Sequence, residues 1–208
     1  MSLQNSVGID ESRDVMILGT CSGWDILMNS CLEGRFSEGL QVTTLVSYDG
    51  ATHRIVDEIG CNLNICFTWS TIHDEGCLSN FVALHVGRKS LEGFVIVFSP
   101  FERRSFELVE RLVIFISQSR SLLNPSSSPA VVGRSIPLSI VALCLPHEDR
   151  APMIDPEEGR LLAAQCNAAF FHSDPQNFRN VVEPFDHLIR EARKRKPNSV
   201  KPSCCDIS

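Results

Sequence analysis

From Gly19 to Asp25 the chain reads Gly-Thr-Cys-Ser-Gly-Trp-Asp, directly after the apolar run Val15–Leu18. A buried strand, a tight glycine turn and a helix start, in that order, make an anion site. Backbone N–H groups point outward there, and the helix dipole favours negative charge. The phosphate-gripping form is G-x-x-x-x-G-K-[ST], whose Lys reaches the β/γ-phosphates and whose hydroxyl binds Mg²⁺. Here Gly19 and Gly23 stand one residue too close, with Thr20, Cys21 and Ser22 between them. Trp24 takes the place of the Lys and Asp25 that of the hydroxyl. The frame of a phosphate site is present and its cation is missing.

Other side chains offer weaker chemistry. Cys21 sits near a helix N-terminus, which lowers a thiol pKa, and a partnership with His73 would make a nucleophile; a passive half-buried thiol is the competing reading. Asp25 and Asp74 could share a metal, or face solvent from their loops. No Cys/His group has zinc spacing. Cys61 and Cys66 are expected on opposite faces of a strand, and Cys144 in the core. Trp24 and Trp69 could be partner anchors, with Trp69 also read as half-buried on its strand.

The elements that must position these residues follow from periodicity. Residues 1–13 are polar and expected to be flexible. Strands are expected at Val15–Leu18, Thr52–Ile59, Asn62–Trp69, Gly93–Phe98, Leu138–Leu145 and Ala168–Phe171, with Gly60-Cys61 as a hairpin turn. Helices are expected over Trp24–Phe36, Phe81–Val86, from Ser105 through the stripe Phe106, Val109, Leu112, Val113 and Ile116, from Asp155-Pro-Glu-Glu, and over Val181–Ala192. Strands alternating with helices make an α/β domain over residues 14–196: a doubly wound, mostly parallel sheet of about six strands between two helical layers. Residues 197–208 are expected to be a flexible tail.

The chain has 208 residues, 43% of them hydrophobic and 21% charged, enough for one full core. Its nine cysteines lack framework spacing, which favours reduced thiols inside the cell. Ile136–Leu145 is far shorter than a membrane span. From Leu188 onward six basic residues (Arg190, Arg193, Lys194, Arg195, Lys196, Lys201) face two acids, a net of +4 in a chain of −6, which leaves −10 for residues 1–187. An acidic body argues against nucleic acid as partner. A basic tail fits an acidic inner-leaflet membrane or an acidic partner.

Glu92–Ser99 with Arg104-Ser-Phe-Glu107, and Val181–Glu191, resemble the fourth strand, third helix and last helix of a Ras-type small GTPase, a P-loop NTPase-type fold. The resemblance covers residues 14 to 208, with insertions near Asp49–His53 and Pro125–Arg134. It implies GTP or GDP and Mg²⁺ as cofactors, GTP hydrolysis as activity, and a protein effector or regulator as partner on the stretch Thr43, Thr44, Ser47 and Tyr48. Thr43 is the first-switch hydroxyl in register for Mg²⁺ and the γ-phosphate. The other motifs depart from the family. Its second-switch Asp-Thr-Ala-Gly falls at Ser70-Thr-Ile-His73, and its catalytic Gln at Asp74. Its guanine-reading Asn-Lys-x-Asp falls at Leu143-Cys144-Leu145-Pro146, and Ser-Ala-Lys at Asp174-Pro-Gln176. The resulting expectation is lost or very weak nucleotide affinity and negligible hydrolysis. An active GTPase with divergent loops and an unrelated α/β enzyme using a Cys21–His73 nucleophile stay open as alternatives.

The chain closes on Cys205-Asp-Ile-Ser208, a C-a-a-X form with Cys204 before it. Ser208 favours farnesyl on Cys205, and Cys204 could take palmitoyl. One lipid chain needs a second signal to hold a membrane, and the basic cluster could supply it. The expected place is the cytoplasm, or the cytoplasmic face of a membrane when lipidated.

Overall fold

A computed structural model describes residues 9–21, 23–37, 47–68, 91–123, 136–145 and 150–195. The central strand, β1 (Ile9–Gly19), lies between two parallel neighbours, β3 (Ile59–Thr68) and β4 (Leu91–Phe98). Covered on both faces, Val15, Met16, Ile17 and Leu18 are at most 1% exposed, which is why all four are apolar. The strand starts six residues earlier than its apolar run. Residues 9–13, expected to be flexible, form ladder with β3 because their charges find partners. Arg13 bonds Glu11 at 2.6 Å and Glu92 at 3.1 Å, and the Asn64 amide donates to Asp14 at 2.7 Å.

β2 (Ser47–Val56) joins β3 as an antiparallel hairpin. Its turn is Asp57-Glu58, with φ of 50° and 67°, the type I′ pattern that two-residue hairpins favour. Gly60-Cys61 is therefore not the turn. Gly60 sits opposite Ile9, and Cys61 is fully buried inside β3. A clamp explains the shift. Arg193 donates to the carbonyls of Val56 and Ile59 on either side of the turn, at 2.6 and 3.3 Å, while Arg190 pairs with Asp57 at 3.0 Å.

Among the described residues the helices are α1 (Trp24–Glu33), α2 (Arg103–Leu123), α3 (Pro156–Gln165) and α4 (Glu183–Arg195), and the remaining strands are β5 (Leu138–Leu143) and β6 (Ala169–Ser173). The sheet order is β2-β3-β1-β4-β5-β6, all parallel except β2. α1 ends at Gly34, whose φ of 70° lets its N–H reach the Ser30 carbonyl. α3 begins as its sequence demands: Asp155 accepts from the Glu157 N–H, the Glu158 carboxylate accepts from the Asp155 N–H, and Pro156 takes the first helical position. α2 starts two residues before Ser105, and Ser105 is buried, donating to the Glu102 carbonyl at 2.8 Å and accepting from the Ser99 N–H at 3.1 Å.

Two cores flank the sheet. Val15 and Ile17 pack with Leu27 and Met28 of α1 and with Phe185, Leu188 and Ile189 of α4. Met16 and Leu18 pack with Phe106, Val109, Leu112 and Ile116 of α2 and with Ala163 of α3. This is a three-layer α/β fold, consistent with that of a small GTPase. Cys61 and Cys66 fall on opposite faces, Cys61 in the first core and Cys66 against the second.

Candidate functional site

In a parallel sheet ligands bind beyond the carboxyl ends of the strands, here Gly19, Phe98, Leu143 and Ser173 of β1, β4, β5 and β6. At the end of β1 the chain turns inward. The Thr20 N–H donates to the Val97 carbonyl at 3.0 Å, and the Thr20 hydroxyl lies 2.9 Å from the carbonyls of Val97 and Ser105. Trp24, the first residue of α1, is only 8% exposed and belongs to the first core. Its ring lies so close over the strand end that a Cβ on Gly19 would sit 2.6 Å from the indole Cγ and Cδ1. Gly23 caps the helix with φ of 88°, the left-handed conformation that suits glycine. A Cβ there would lie 2.5 Å from Cδ1 of Leu145. Trp24 thus packs on Gly19, and Leu145 packs against Gly23.

On the base side Leu143 is 1% exposed in the first core. Cys144, expected in the core, lies past the end of β5 and is half-buried; its N–H donates to the Ser173 carbonyl at 2.9 Å. The apolar run to Leu145 suggested a longer strand, but the ladder with β6 stops at Leu143–Ser173. Asp174-Pro-Gln176 forms a closed turn. Asp174 and Arg179 exchange backbone bonds of 3.0 and 2.9 Å, and the Asp174 carboxylate accepts from the Asn177 side chain at 2.6 Å. This side presents a thiol, a leucine and a self-satisfied Asx turn.

At the start of α1 Trp24 offers a buried indole and Asp25 a half-buried carboxylate, so neither brings a cation to this turn. Among the described residues no group of three or more His, Cys, Asp or Glu is arranged to hold a metal ion. Ser22, Thr43, Thr44, His73, Asp74, Pro146, Cys204 and Cys205 lie outside the described residues, as do Trp69 and the expected Phe81–Val86 helix. Ser47 and Tyr48 open β2, their backbones opposite Thr68 and Phe67. Cys21 is half-buried against the first core.

Sequence reasoning missed one pair at this edge. Cys144 Sγ lies 3.3 Å from Nε2 of His172, the fourth residue of β6. The two are 28 residues apart, so no local spacing announces them; only the β5–β6 register brings them together. Burial, then the Arg179 charge, pushes His172 below its ordinary value of 6.5, against the pull of Asp174. Burial pushes the Cys31 thiol up to about 12 and Cys61 to about 11.

The basic C-terminal cluster is also partly spoken for. Arg193 bonds Glu11 at 2.6 Å, Arg190 bonds Asp57, and Lys194 bonds Glu191 on its own helix. Burial alone would raise the Glu11 carboxyl, but the guanidinium groups of Arg13 and Arg193 outweigh it and hold Glu11 below 4.5. None of the described helices is long and apolar enough to cross a membrane.

No protein-family profile matches the chain. It is similar to the Ras-like protein rasW of Dictyostelium discoideum, 30% identical over 117 residues, which cover 55% of this chain and 48% of that protein. The matched stretch spans about half the length of the curated relative. Together with the small-GTPase-like sheet, this likeness supports a Ras-like small GTPase family.

Proposed function

We propose that this is a Ras-like protein whose nucleotide site is degenerate, acting as a binding module rather than a GTPase. The observation that carries the reading is Trp24, buried on Gly19 where the family places its phosphate-binding Lys. Phosphoryl transfer rests on positioning and on cations around the phosphates. Removing one partner of a buried charge pair costs roughly 2–5 kcal/mol, and here the Lys, the second-switch carboxylate and the guanine-reading carboxylate are replaced together. Opening room for phosphate would also pull Trp24 out of the core it completes. The stretch Thr43, Thr44, Ser47 and Tyr48 is the proposed contact for a protein effector or regulator. Lipidation of Cys205 and Cys204, with the basic tail, is the proposed tie to an acidic inner-leaflet membrane.

The test is the nucleotide content of the purified protein and its GDP and GTP affinity with and without Mg²⁺, beside Trp24→Lys. No co-purified nucleotide and no binding up to millimolar concentration is the expected result. Micromolar or tighter Mg²⁺-dependent binding by the unmodified protein would establish the competing reading, a working GTPase with divergent loops.

A further inference from the structure

Two half-buried groups of complementary chemistry meet at the carboxyl edge of the sheet, and the proposed binding role uses neither. Cys144 follows β5, His172 ends in β6, and Sγ is 3.3 Å from Nε2 and 4.0 Å from Nδ1. Both are anchored. The Cys144 N–H bonds the Ser173 carbonyl at 2.9 Å, and the His172 carbonyl accepts from the Asn180 side chain at 2.9 Å. The charged groups acting on His172 are Arg179 and Asp174 of the following turn and Arg160 of α3, two cations against one anion. With burial, that balance keeps the imidazole neutral, with Nε2 able to accept the thiol proton.

We propose that Cys144 and His172 form a thiol–disulfide exchange site that takes a low-molecular-weight disulfide. Cys144 Sγ attacks one sulfur of the disulfide, whose S–S bond breaks as a new Sγ–S bond forms. Nε2 of His172 holds the thiol proton and returns it to the departing thiolate. One disulfide and one protein thiol become one mixed disulfide and one small thiol, so the disulfide is the oxidant and no other redox partner is required. Cys31 and Cys61, buried and pushed to about 12 and about 11, are the inert internal standards. The half-buried Cys21, Cys66 and Cys166 control for mere access.

The experiment incubates the full chain with glutathione disulfide and follows each cysteine by peptide mass mapping between pH 5 and 9. Cys144 is expected to react on the order of tenfold faster at pH 7 than any of the half-buried controls, with its rate falling as His172 takes up a proton. His172→Gln should remove that advantage and return Cys144 to the pH profile of an ordinary thiol near ~8.5. Should that variant not fold, the site-resolved profile of the unmodified chain decides alone. A Cys144 rate no higher than those of Cys21, Cys66 and Cys166, or a fast rate unchanged in His172→Gln, would overturn the assignment. Neither result bears on nucleotide binding.

Discussion

The two edges of the sheet handle charge in opposite ways. At the amino edge Glu11, Arg13, Glu92 and Arg193 sit at 14% side-chain exposure or less and are joined by bonds of 2.6–3.1 Å. At the carboxyl edge, where a nucleotide-binding relative would gather its cations, the contacts are an indole on Gly19 and a leucine on Gly23. Charges taken out of water are tolerated only with partners. The amino edge supplies those partners from its own chain. A phosphate site must leave its cation waiting for a ligand, whereas the contacts at this carboxyl edge are Trp24 on Gly19 and Leu145 on Gly23. Ion pairing fastens the fold at the amino edge, while at the carboxyl edge apolar contacts close the turn between β1 and α1.

Trp24→Ala puts the carboxyl edge under the severest strain. With its ring in the core, it should cost about 3–5 kcal/mol by urea denaturation; a loss under ~1 kcal/mol would mean the indole is not packed as described. Arg13→Met strikes the other edge. Leaving Glu11 and Glu92 without their shared cation should cost about 3 kcal/mol, and high salt should restore little of it because the pair is shielded from solvent.

Acid separates the edges by pH. His172 and His187 are held below 6.5, chiefly by burial, so the unfolded chain binds more protons and stability falls as pH drops through 6.5 and below. Glu11 is held below 4.5, so its contribution is complete above 4.5 and disappears only under more acidic conditions. A melting-temperature profile should therefore decline in two stages. His172→Gln with His187→Gln should flatten the upper stage, and Arg193→Met the lower. The smallest effect is a gain. Glu58→Gly, at φ 67° beside Asp57, makes an Asp-Gly turn and should add about 0.5–1 kcal/mol.

Most of the sheet was legible because its strands are buried on both faces. Gly93–Phe98 and Leu138–Leu143 have no polar side that could be mistaken for loop, and Asp155-Pro-Glu-Glu announces its helix with three separate cues. The failures at the amino edge share one cause, long-range charge. Glu11 and Arg13 look like a solvated terminus until Glu92 and Arg193 arrive from 79 and 182 residues away. The hairpin turn fell on Gly60 because glycine is the usual marker, while Arg193 and Arg190 hold an Asp-Glu turn that no local rule favours. At the carboxyl edge a large apolar side chain near Gly19 was plain from residue types. The Cys144–His172 pair was not, since it depends on the register of two strands.

The Glu11–Arg193 bond also sets a schedule. Its partners are 182 residues apart, so at about 5–20 residues per second the carboxylate waits on the order of 10–40 s for its second cation during synthesis. In that interval β1, β2 and β3 can already be paired, with Arg13 as the one guanidinium on Glu11. Arg193 arrives only after every strand of the sheet has been made. The last helix thus works as a latch, closing the hairpin turn and the first strand together once the remaining layers are in place.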